Sequence, residues 1–384
     1  MLAPLRDYFC PKDPTSSPLL ITTKNHYLTR LSVDVHPDKP SFRESQWVMS
    51  EDVNVEHLLD IFTSIDTSSK SVWEACAEFM HHLSWHKQRL VMLGPKIKAL
   101  PDDHPSKAKC LYNLSQLFNS VGNFVERKQI LTCTLELWRE RGDDHWTATT
   151  LGDLSDANRE MGLCEEGIQQ AKEASEIFER LGHTVNQAEC LISLAYALSD
   201  DRQLDAAEEA ASRAIDLLPE KGKRFRVCEG HHALGNICQS KGDTEKAIHH
   251  FEVALEIASS LNLDGQLFWI HASLAKLSFG EDRFDDAHAH IELAKSHAIS
   301  DAYNLGRAMH LQANFWCEQR MLEKAKFEAS HAAEVYEKLG AAQDLGNCRE
   351  LLQWIDEEMN SPVVSDQLDV DGELMGNAIT FCVY

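Results

Sequence analysis

The chain has 384 residues, which is enough for about two or three ordinary domains or for one long repeat array. Its 61 acidic residues outnumber 37 basic ones and give a formal net charge of −24, which disfavours nucleic acid and anionic membrane surfaces as partners. No apolar run reaches the length of about 18 residues that suggests a membrane-spanning helix. Arg6 and Asp7 interrupt the first apolar stretch, so that no signal peptide is expected and a cytoplasmic location is predicted.

The first 70 residues predict separate helices. Residues Met1–Phe9, Leu19–Val33 and Glu51–Ile65 each have helical apolar spacing, and prolines between positions 11 and 40 break the pattern. We treat residues 1–45 as one segment. Residues 46–103 are predicted to be a helical linker followed by an N-terminal capping hairpin.

The capping hairpin is predicted over Ser71–Trp85 and Lys87–Leu100, with Ala75 aligned to the repeat that follows. Gly94-Pro95 is expected to interrupt its second helix, because proline removes a backbone donor. Stacked hairpins need such caps, since an end hairpin otherwise exposes its apolar face.

An internal repeat dominates residues 104–356. Small residues early in a second helix recur at Ala207, Ala247 and Ala287, which are 40 residues apart. The aligned positions are Arg127, Gly167, Ala207, Ala247, Ala287 and Ala325. A fixed period of this length indicates stacked supersecondary units, so six helical hairpins are predicted.

The other positions of the repeat follow from the same alignment. A leucine precedes a small residue in each first helix, except that Gln312 replaces the leucine in the sixth repeat. The leucines are Leu114, Leu154, Leu194, Leu234 and Leu274, and the small residues are Ser115, Ser155, Ala195, Gly235, Ala275 and Ala313. A second small position lies at Thr134, Ala174, Ala214, Ala254, Ala294 and Ala332, and turns are predicted at Gly122, Gly162, Arg202, Gly242, Asp282 and Arg320. Small side chains let paired helices approach closely, and larger ones would overpack the contact.

Each hairpin is expected to end in a second break, at Leu181-Gly182, Leu339-Gly340 and the stretch that begins with Pro219. Residues 348–356 are predicted to form a C-terminal capping helix. Residues 357–384 carry acidic side chains without Lys or Arg, a composition typical of a disordered tail.

The pattern Leu234-Gly235, Gly242, Ala247, Phe251, Ala254 resembles the tetratricopeptide repeat, although the period is about 40 residues and the usual one is 34. The resemblance covers about residues 104–356 and implies an all-α, right-handed superhelix, or solenoid, of about six hairpins with helical caps. It also implies that the first helix of each pair lines a concave groove.

A second resemblance concerns the start of the chain. The sequence MLAPLRDYF, followed by Leu19-Leu20 and Tyr27, is similar to the end of the winged-helix segment of NB-ARC-type receptors, which are STAND-class NTPases. The sequence WVMSEDVNVEHLL, from Trp47 to Leu59, is similar to their junction between nucleotide switch and repeats. No GxxxxGK[ST] motif occurs, so neither ATP binding nor any other cofactor is expected. The resemblance implies the sensor part of such a receptor, and it implies association with an NTPase module or with a second copy of this chain.

Catalytic and metal sites are not predicted. Adjacent histidines such as His231-His232 do not share a helix face, no HExxH or GxSxG motif occurs, and the eleven cysteines are scattered. We therefore expect no catalytic residue, no metal site and no enzymatic activity.

The predicted function is binding of a peptide or protein in the groove. The candidate groove residues are Lys109, Tyr112, Asn113, Gln116, Asp153, Asp156, Tyr196, His232, Asn236, Trp269, Lys276, Phe279, Arg307, His310 and Asn314. Amide side chains can pair with an extended peptide, and aromatic side chains supply large stiff contacts. The alternative is a co-chaperone or enzyme-accessory adaptor that binds acidic C-terminal peptides. It requires clustered basic residues, whereas Lys109, Lys276 and Arg307 lie in separate repeats.

Overall fold

The computed structural model describes residues 93–218, 224–299 and 301–360, and also residues 70, 72–74 and 76–77. The described part of the chain is all-helical. Its helices are α1 (Gly94–Lys98), α2 (Lys107–Ser120), α3 (Phe124–Arg141), α4 (Asp144–Glu160), α5 (Cys164–Leu181), α6 (Thr184–Asp200), α7 (Leu204–Leu217), α8 (Arg224–Ser240), α9 (Thr244–Leu261), α10 (Asp264–Gly280), α11 (Phe284–His297), α12 (Ala302–Glu318), α13 (Leu322–Leu339) and α14 (Ala342–Asn360).

The chain divides into two compact units, Met1–Met161 and Gly162–Tyr384. The first unit contains the hairpin α2–α3 and helix α4. The second contains α5, the hairpins α6–α7, α8–α9, α10–α11 and α12–α13, and the final helix α14. These consecutive packed hairpins confirm the predicted fold class.

The turns inside the hairpins lie where the repeat predicts them. All six predicted turn positions have positive φ, from 54° at Arg320 to 79° at Gly242. Gly182 and Gly340 are also left-handed and end α5 and α13, as predicted from Leu181-Gly182 and Leu339-Gly340. Glycine adopts this conformation without a steric penalty, so the chain reverses direction there at little conformational cost.

Three of the six turns carry a non-glycine residue in the left-handed region, which costs of order 1 kcal/mol each. We expect Arg202→Gly to raise the free energy of unfolding by about 0.5–1 kcal/mol, because φ of 63° suits glycine. Gly242→Ala, at φ of 79° with open space around it, should lower stability by a similar amount. Urea denaturation followed by circular dichroism measures both changes, and equal stabilities would contradict the strain.

A continuous seam of small residues holds the second unit together. Ala207, Ala247, Ala287 and Ala325 are fully buried, as are the small residues seven positions later in the same helices. Each apolar cluster takes residues from at least three consecutive helices. The clusters are α5–α8, α8–α10, α10–α12 and α12–α14, and each shares a helix with the next. The core of this unit is therefore built between neighbouring hairpins as well as within them.

Two departures from the repeat are resolved by polar contacts. In the first unit Arg127 replaces the small residue, is 3% exposed, and donates to Oδ1 of Asp153 over 3.0 Å. In the second unit Gln312 replaces the leucine, and its Oε1 accepts a hydrogen bond of 2.6 Å from Lys295, which also donates to Glu328. Each substitution therefore keeps its position buried by finding a partner on a neighbouring helix.

Helices pack against the repeats at both ends of the described region. Val72, Trp73, Cys76 and Ala77 are helical and buried, and the Ala77 carbonyl accepts a hydrogen bond of 2.6 Å from Asn113. At the other end, α14 covers α12 and α13 and is longer than the predicted span of 348–356.

Several predictions involve residues that the structure does not describe. Gly94-Pro95 begins α1, where proline suits the first turn because the N–H groups of that turn have no helical acceptor, and residues 87–92 of the predicted second helix lie outside the described residues. The predicted winged-helix-like segment 1–45, the break at Pro219 and the acidic tail from 361 onward lie outside the described residues.

Candidate functional site

The first helices of the hairpins form one layer in the second unit. Helices α6, α8, α10 and α12 contact one another in succession, more closely than the second helices of successive hairpins do. This places the first helices in the inner layer of the second unit. We call the solvent-facing side of α6, α8, α10 and α12 the first-helix surface.

All fifteen candidate residues lie on the first helices of the predicted hairpins. In the first unit, Lys109, Tyr112, Asn113 and Gln116 belong to α2, and Asp153 and Asp156 belong to α4. Asn113 is buried and bonds the Ala77 carbonyl, so it packs the hairpin and does not face a ligand.

Other candidates in the first unit also make internal contacts. Gln116 donates to Oδ2 of Asp153 over 2.8 Å, and the other carboxylate oxygen receives the Arg127 guanidinium. The Tyr112 ring meets Trp146 edge-on at 5.1 Å. These side chains are mainly used in holding α2, α3 and α4 together.

The second unit carries a hydrogen-bonded ladder across three first helices. The Tyr196 hydroxyl on α6 lies 3.0 Å from Nδ1 of His232 on α8, and Nε2 of His232 lies 2.9 Å from Oγ of Ser273 on α10. Asn236, one helical turn from His232, adds a longer contact of 3.4 Å to the same Nε2. Of the ladder, Tyr196 and Asn236 are half-buried, whereas His232 and Ser273 are buried.

An aromatic and cationic platform continues this surface onto α12. The Arg307 guanidinium lies 4.6 Å from the ring centroid of Trp269 and 5.4 Å from that of Tyr303. The Tyr303 hydroxyl donates to Oδ2 of Asp344 on α14 over 2.9 Å. Stacking between two aromatic rings limits the positions that the guanidinium can take, and it leaves the charge beside a half-buried surface.

The remaining candidates lie nearby on α10 and α12. Phe279 packs edge-on against Phe284 and Phe315, at 5.5 and 6.1 Å between ring centroids. His310 lies 3.6 Å from the Cys348 thiol, and Asn314 is half-buried one turn further along α12.

Lys276 and Arg307 give the surface its electrostatic character. Burial, reinforced by the Arg307 charge and opposed by Asp200, lowers the pKa of Lys276 to about 8. Burial and the Lys276 charge lower the pKa of His232 to about 4, and burial with Arg307 does the same for His310. At neutral pH both histidines are therefore neutral, while Lys276 is largely protonated beside Arg307.

The basic residues are closer together than the sequence analysis expected. Lys109 lies in the first unit, but Lys276 and Arg307 lie on successive first helices and interact electrostatically. An acidic chain thus concentrates two cations on one surface, which favours an anionic group in the ligand.

Sequence reasoning missed Ser273, Tyr303 and Asp344. Their contacts join residues about one repeat apart: His232 and Ser273 are 41 positions apart, and so are Tyr303 and Asp344. Polar residues spaced by roughly one period could have indicated them, because such positions fall on neighbouring first helices.

The described residues contain neither a metal site nor a membrane-spanning helix. No three His, Cys, Asp or Glu side chains there form a group able to hold a metal ion. None of the helices that the structure describes is both long and apolar enough to span a membrane.

Comparison with known proteins gives the class of the chain. The family model described as tetratricopeptide repeat matches residues 229–260, which cover most of α8 and α9. This match identifies one tetratricopeptide repeat, and the consecutive packed hairpins around it have a helical solenoid fold. Two curated relatives from Arabidopsis thaliana are similar to part of it. Kinesin light chain-related protein 3 is 24% identical over 191 residues, covering 46% of this chain and 28% of that protein. Kinesin light chain-related protein 1 is 24% identical over 210 residues, covering 51% and 34%. The chain thus spans about a third or less of the length of these relatives.

Solved structures share the fold. A Rap protein complexed with competence and sporulation factor has a TM-score of 0.56 at 14% identity, covering 87% of this chain and 98% of that one. The apo form of the quorum sensor NprR from B. thuringiensis has a TM-score of 0.51 at 14% identity, covering 89% and 100%. The Rap conjugation gene regulator of plasmid pLS20, in complex with the Phr* peptide, has a TM-score of 0.50 at 13% identity, covering 82% and 98%.

Proposed function

We propose that this chain is a non-catalytic cytoplasmic scaffold that binds a peptide or protein segment on the first-helix surface of its second unit. The observation that carries the proposal is the placement of Lys276 and Arg307 at the end of the Tyr196–His232–Ser273 ladder. The half-buried ladder groups Tyr196 and Asn236 suit an extended backbone, the Trp269 platform offers stiff apolar area, and the two cations suit a carboxylate. The fold supports the proposal, because two of the similar structures are complexes, one with competence and sporulation factor and one with the Phr* peptide.

The test uses the full chain and a displayed library of unstructured 12-residue peptides. We expect the selected peptides to be enriched in Asp or Glu. Fluorescence anisotropy then measures their affinity for the chain. Lys276→Met together with Arg307→Gln should weaken binding at least tenfold, which corresponds to about 1.4 kcal/mol. The control is Lys246→Gln, because Lys246 is exposed on the second helix α9. Equal affinities for all three proteins would overturn the proposed site.

The adjacency of Lys276 and Arg307 also favours the second candidate, a co-chaperone or enzyme-accessory adaptor for acidic C-terminal peptides. The two functions differ in whether a free C-terminal carboxylate is needed. Amidation of the selected peptides should leave binding unchanged if an internal segment is recognised, and should abolish it if the adaptor function is correct.

We also propose that the surface serves as the sensor of a STAND-type receptor whose NTPase module is a separate partner. The support is the similarity of the sequence at 1–59 to NB-ARC receptors, and these residues lie outside the described structure. Mixing the chain with a purified NB-ARC module should give a stable complex. Removal of residues 1–59 should prevent this complex from forming. A complex unaffected by that truncation would contradict this role, and self-association measured by light scattering would indicate the other partner considered.

A further inference from the structure

Two histidine pairs occupy equivalent places in successive hairpins. Nδ1 of His231 on α8 lies 3.1 Å from Nδ1 of His250 on α9, with ring centroids 5.4 Å apart. In the next hairpin, Nδ1 of His271 on α10 lies 3.2 Å from Nδ1 of His290 on α11, with the same centroid separation. Both members of the second pair follow the first by 40 residues, so the arrangement itself is repeated.

The same positions are apolar in the first and third repeats. One and three periods before His231 and His250, the pairs are Leu191 with Ala210 and Leu111 with Ile130, and all four residues are buried. Apolar side chains can therefore fill this position between the two helices of a hairpin. Repeats four and five instead place titratable rings between their two helices, and the proposed binding function does not use these rings.

The geometry permits one protonated ring in a pair but not two. In each Nδ1···Nδ1 hydrogen bond one ring donates and the other accepts, which a neutral pair or a single imidazolium can satisfy. Two imidazolium rings would oppose two N–H donors and two positive charges at about 3 Å. Full protonation therefore breaks the contact between the two helices.

A metal ion is a poorer explanation of the pairs. Each pair offers two facing nitrogens, whereas protein zinc sites use three or four ligands, and the described residues contain no larger group of suitable side chains.

The surroundings hold the histidines in the neutral form. Burial is the main cause that lowers the pKa of His231, His250 and His290, and it lowers that of His271 to about 4. The neighbouring charges are mixed. His249 and Lys246 oppose protonation of His250 and Glu208 of α7 favours it, while His297 opposes protonation of His271. Asp286 favours protonation of His290 and Arg283 opposes it.

We propose that the neutral pairs His231–His250 and His271–His290 hold the hairpins α8–α9 and α10–α11 closed, and that protonation of the pairs opens both hairpins on acidification. We call this pH-dependent contact the catch. The opened hairpins lie directly behind the ladder, because His231 adjoins His232 and His271 is two residues from Ser273. Release of a ligand at low pH follows from this and rests on the proposed function, whereas the opening itself does not.

The pH range follows from the direction of the pKa shifts. An opened hairpin exposes histidines with the ordinary pKa of about 6.5, whereas the closed hairpin binds protons less readily. The stability that the neutral pairs contribute is therefore present above about pH 6.5 and is lost as the pH falls toward about 4.

Hydrogen exchange of the full chain without ligand, corrected for intrinsic exchange rates, tests the opening. Between pH 7.5 and pH 5.0 we expect peptides from α8–α11 to exchange at least about tenfold faster, while α5–α7 change much less. The variant His231→Leu/His250→Ala/His271→Leu/His290→Ala carries the pair found in the third repeat and should lose this acceleration. Should it fail to fold, His250→Gln/His290→Gln retains a hydrogen-bonding side chain and removes one titrating group from each pair.

His331→Gln on α13 is the matched control and should retain the acceleration. An equal pH response in the natural chain and in the folded pair variant would overturn the catch. Because no ligand is present, loss of peptide binding with an intact pH response would disprove only the proposed function. Peptide binding that is insensitive to pH, together with pH-independent exchange, would disprove only the catch.

Discussion

Gly235→Ala is expected to destabilise the second unit by about 2–3 kcal/mol, although alanine is the better helix former. A Cβ on Gly235 would lie 2.4 Å from Cε1 and 2.5 Å from Cδ1 of Phe251. Phe251 is fully buried in the cluster that joins α8, α9 and α10, so the ring has no free space into which it can move. The clash therefore forces the first and second helices of this hairpin apart.

The control for this prediction is Gly346→Ala in the interior of α14, where an added Cβ has no neighbour within 4 Å. It should raise stability by about 0.5–1 kcal/mol through helix propensity alone. Adding Phe251→Leu to Gly235→Ala should cost less than the sum of the two single changes, since the smaller side chain makes room for the methyl group. Thermal unfolding of the natural chain, Gly346→Ala, the two single variants at Gly235 and Phe251, and their double variant measures these differences. Additive losses, or a stable Gly235→Ala protein, would show that the helices do not approach this closely.

Asp153→Ala is expected to cost the first unit about 3–5 kcal/mol, because it leaves the Arg127 guanidinium buried without its carboxylate partner. Arg127→Met/Asp153→Leu should recover most of that loss, since two apolar side chains of similar size can replace a buried ion pair. Urea denaturation followed by tryptophan fluorescence reports on this unit through Trp138 and Trp146, which stack on each other at 5.4 Å.

An exposed ion pair provides the comparison. Arg213 on α7 and Glu179 on α5 are 3.1 Å apart, with more than half of each side chain exposed to solvent. Glu179→Ala should change stability by less than about 0.5 kcal/mol, because exposed pairs contribute little. Similar effects for Asp153→Ala and Glu179→Ala would mean that the Arg127 site is open to water.

The periodic part of the fold could be predicted from sequence because each repeat position has one physical role. Gly122, Gly162 and Gly242 mark turns, and the same alignment correctly placed turns at Arg202, Asp282 and Arg320, all six of which have positive φ in the structure. Local preference does not mark Arg202 and Arg320 as turn residues, but the shared period does.

Replacements within the pattern were not predictable from a single position. Gln312 and Arg127 are buried because Lys295 and Asp153 on neighbouring helices reach them, and these contacts depend on side-chain directions. The same limit applies to the candidate surface. The alignment placed Asn113 and His232 on first helices, but whether each faces a ligand or a neighbouring helix depends on contacts with Ala77 and Ser273.

The last helix has a second role besides covering apolar residues. Asp344 on α14 accepts the hydroxyl proton of Tyr303, and the Tyr303 ring in turn lies beside the Arg307 guanidinium. The position of a charge on the inner layer is thus set partly by a carboxylate on α14, which packs against α12 and α13. A chain shortened before α14 would lose this hydrogen bond to Tyr303 as well as the apolar cover of α12 and α13, so the proposed binding surface depends on a helix that contributes none of the candidate residues.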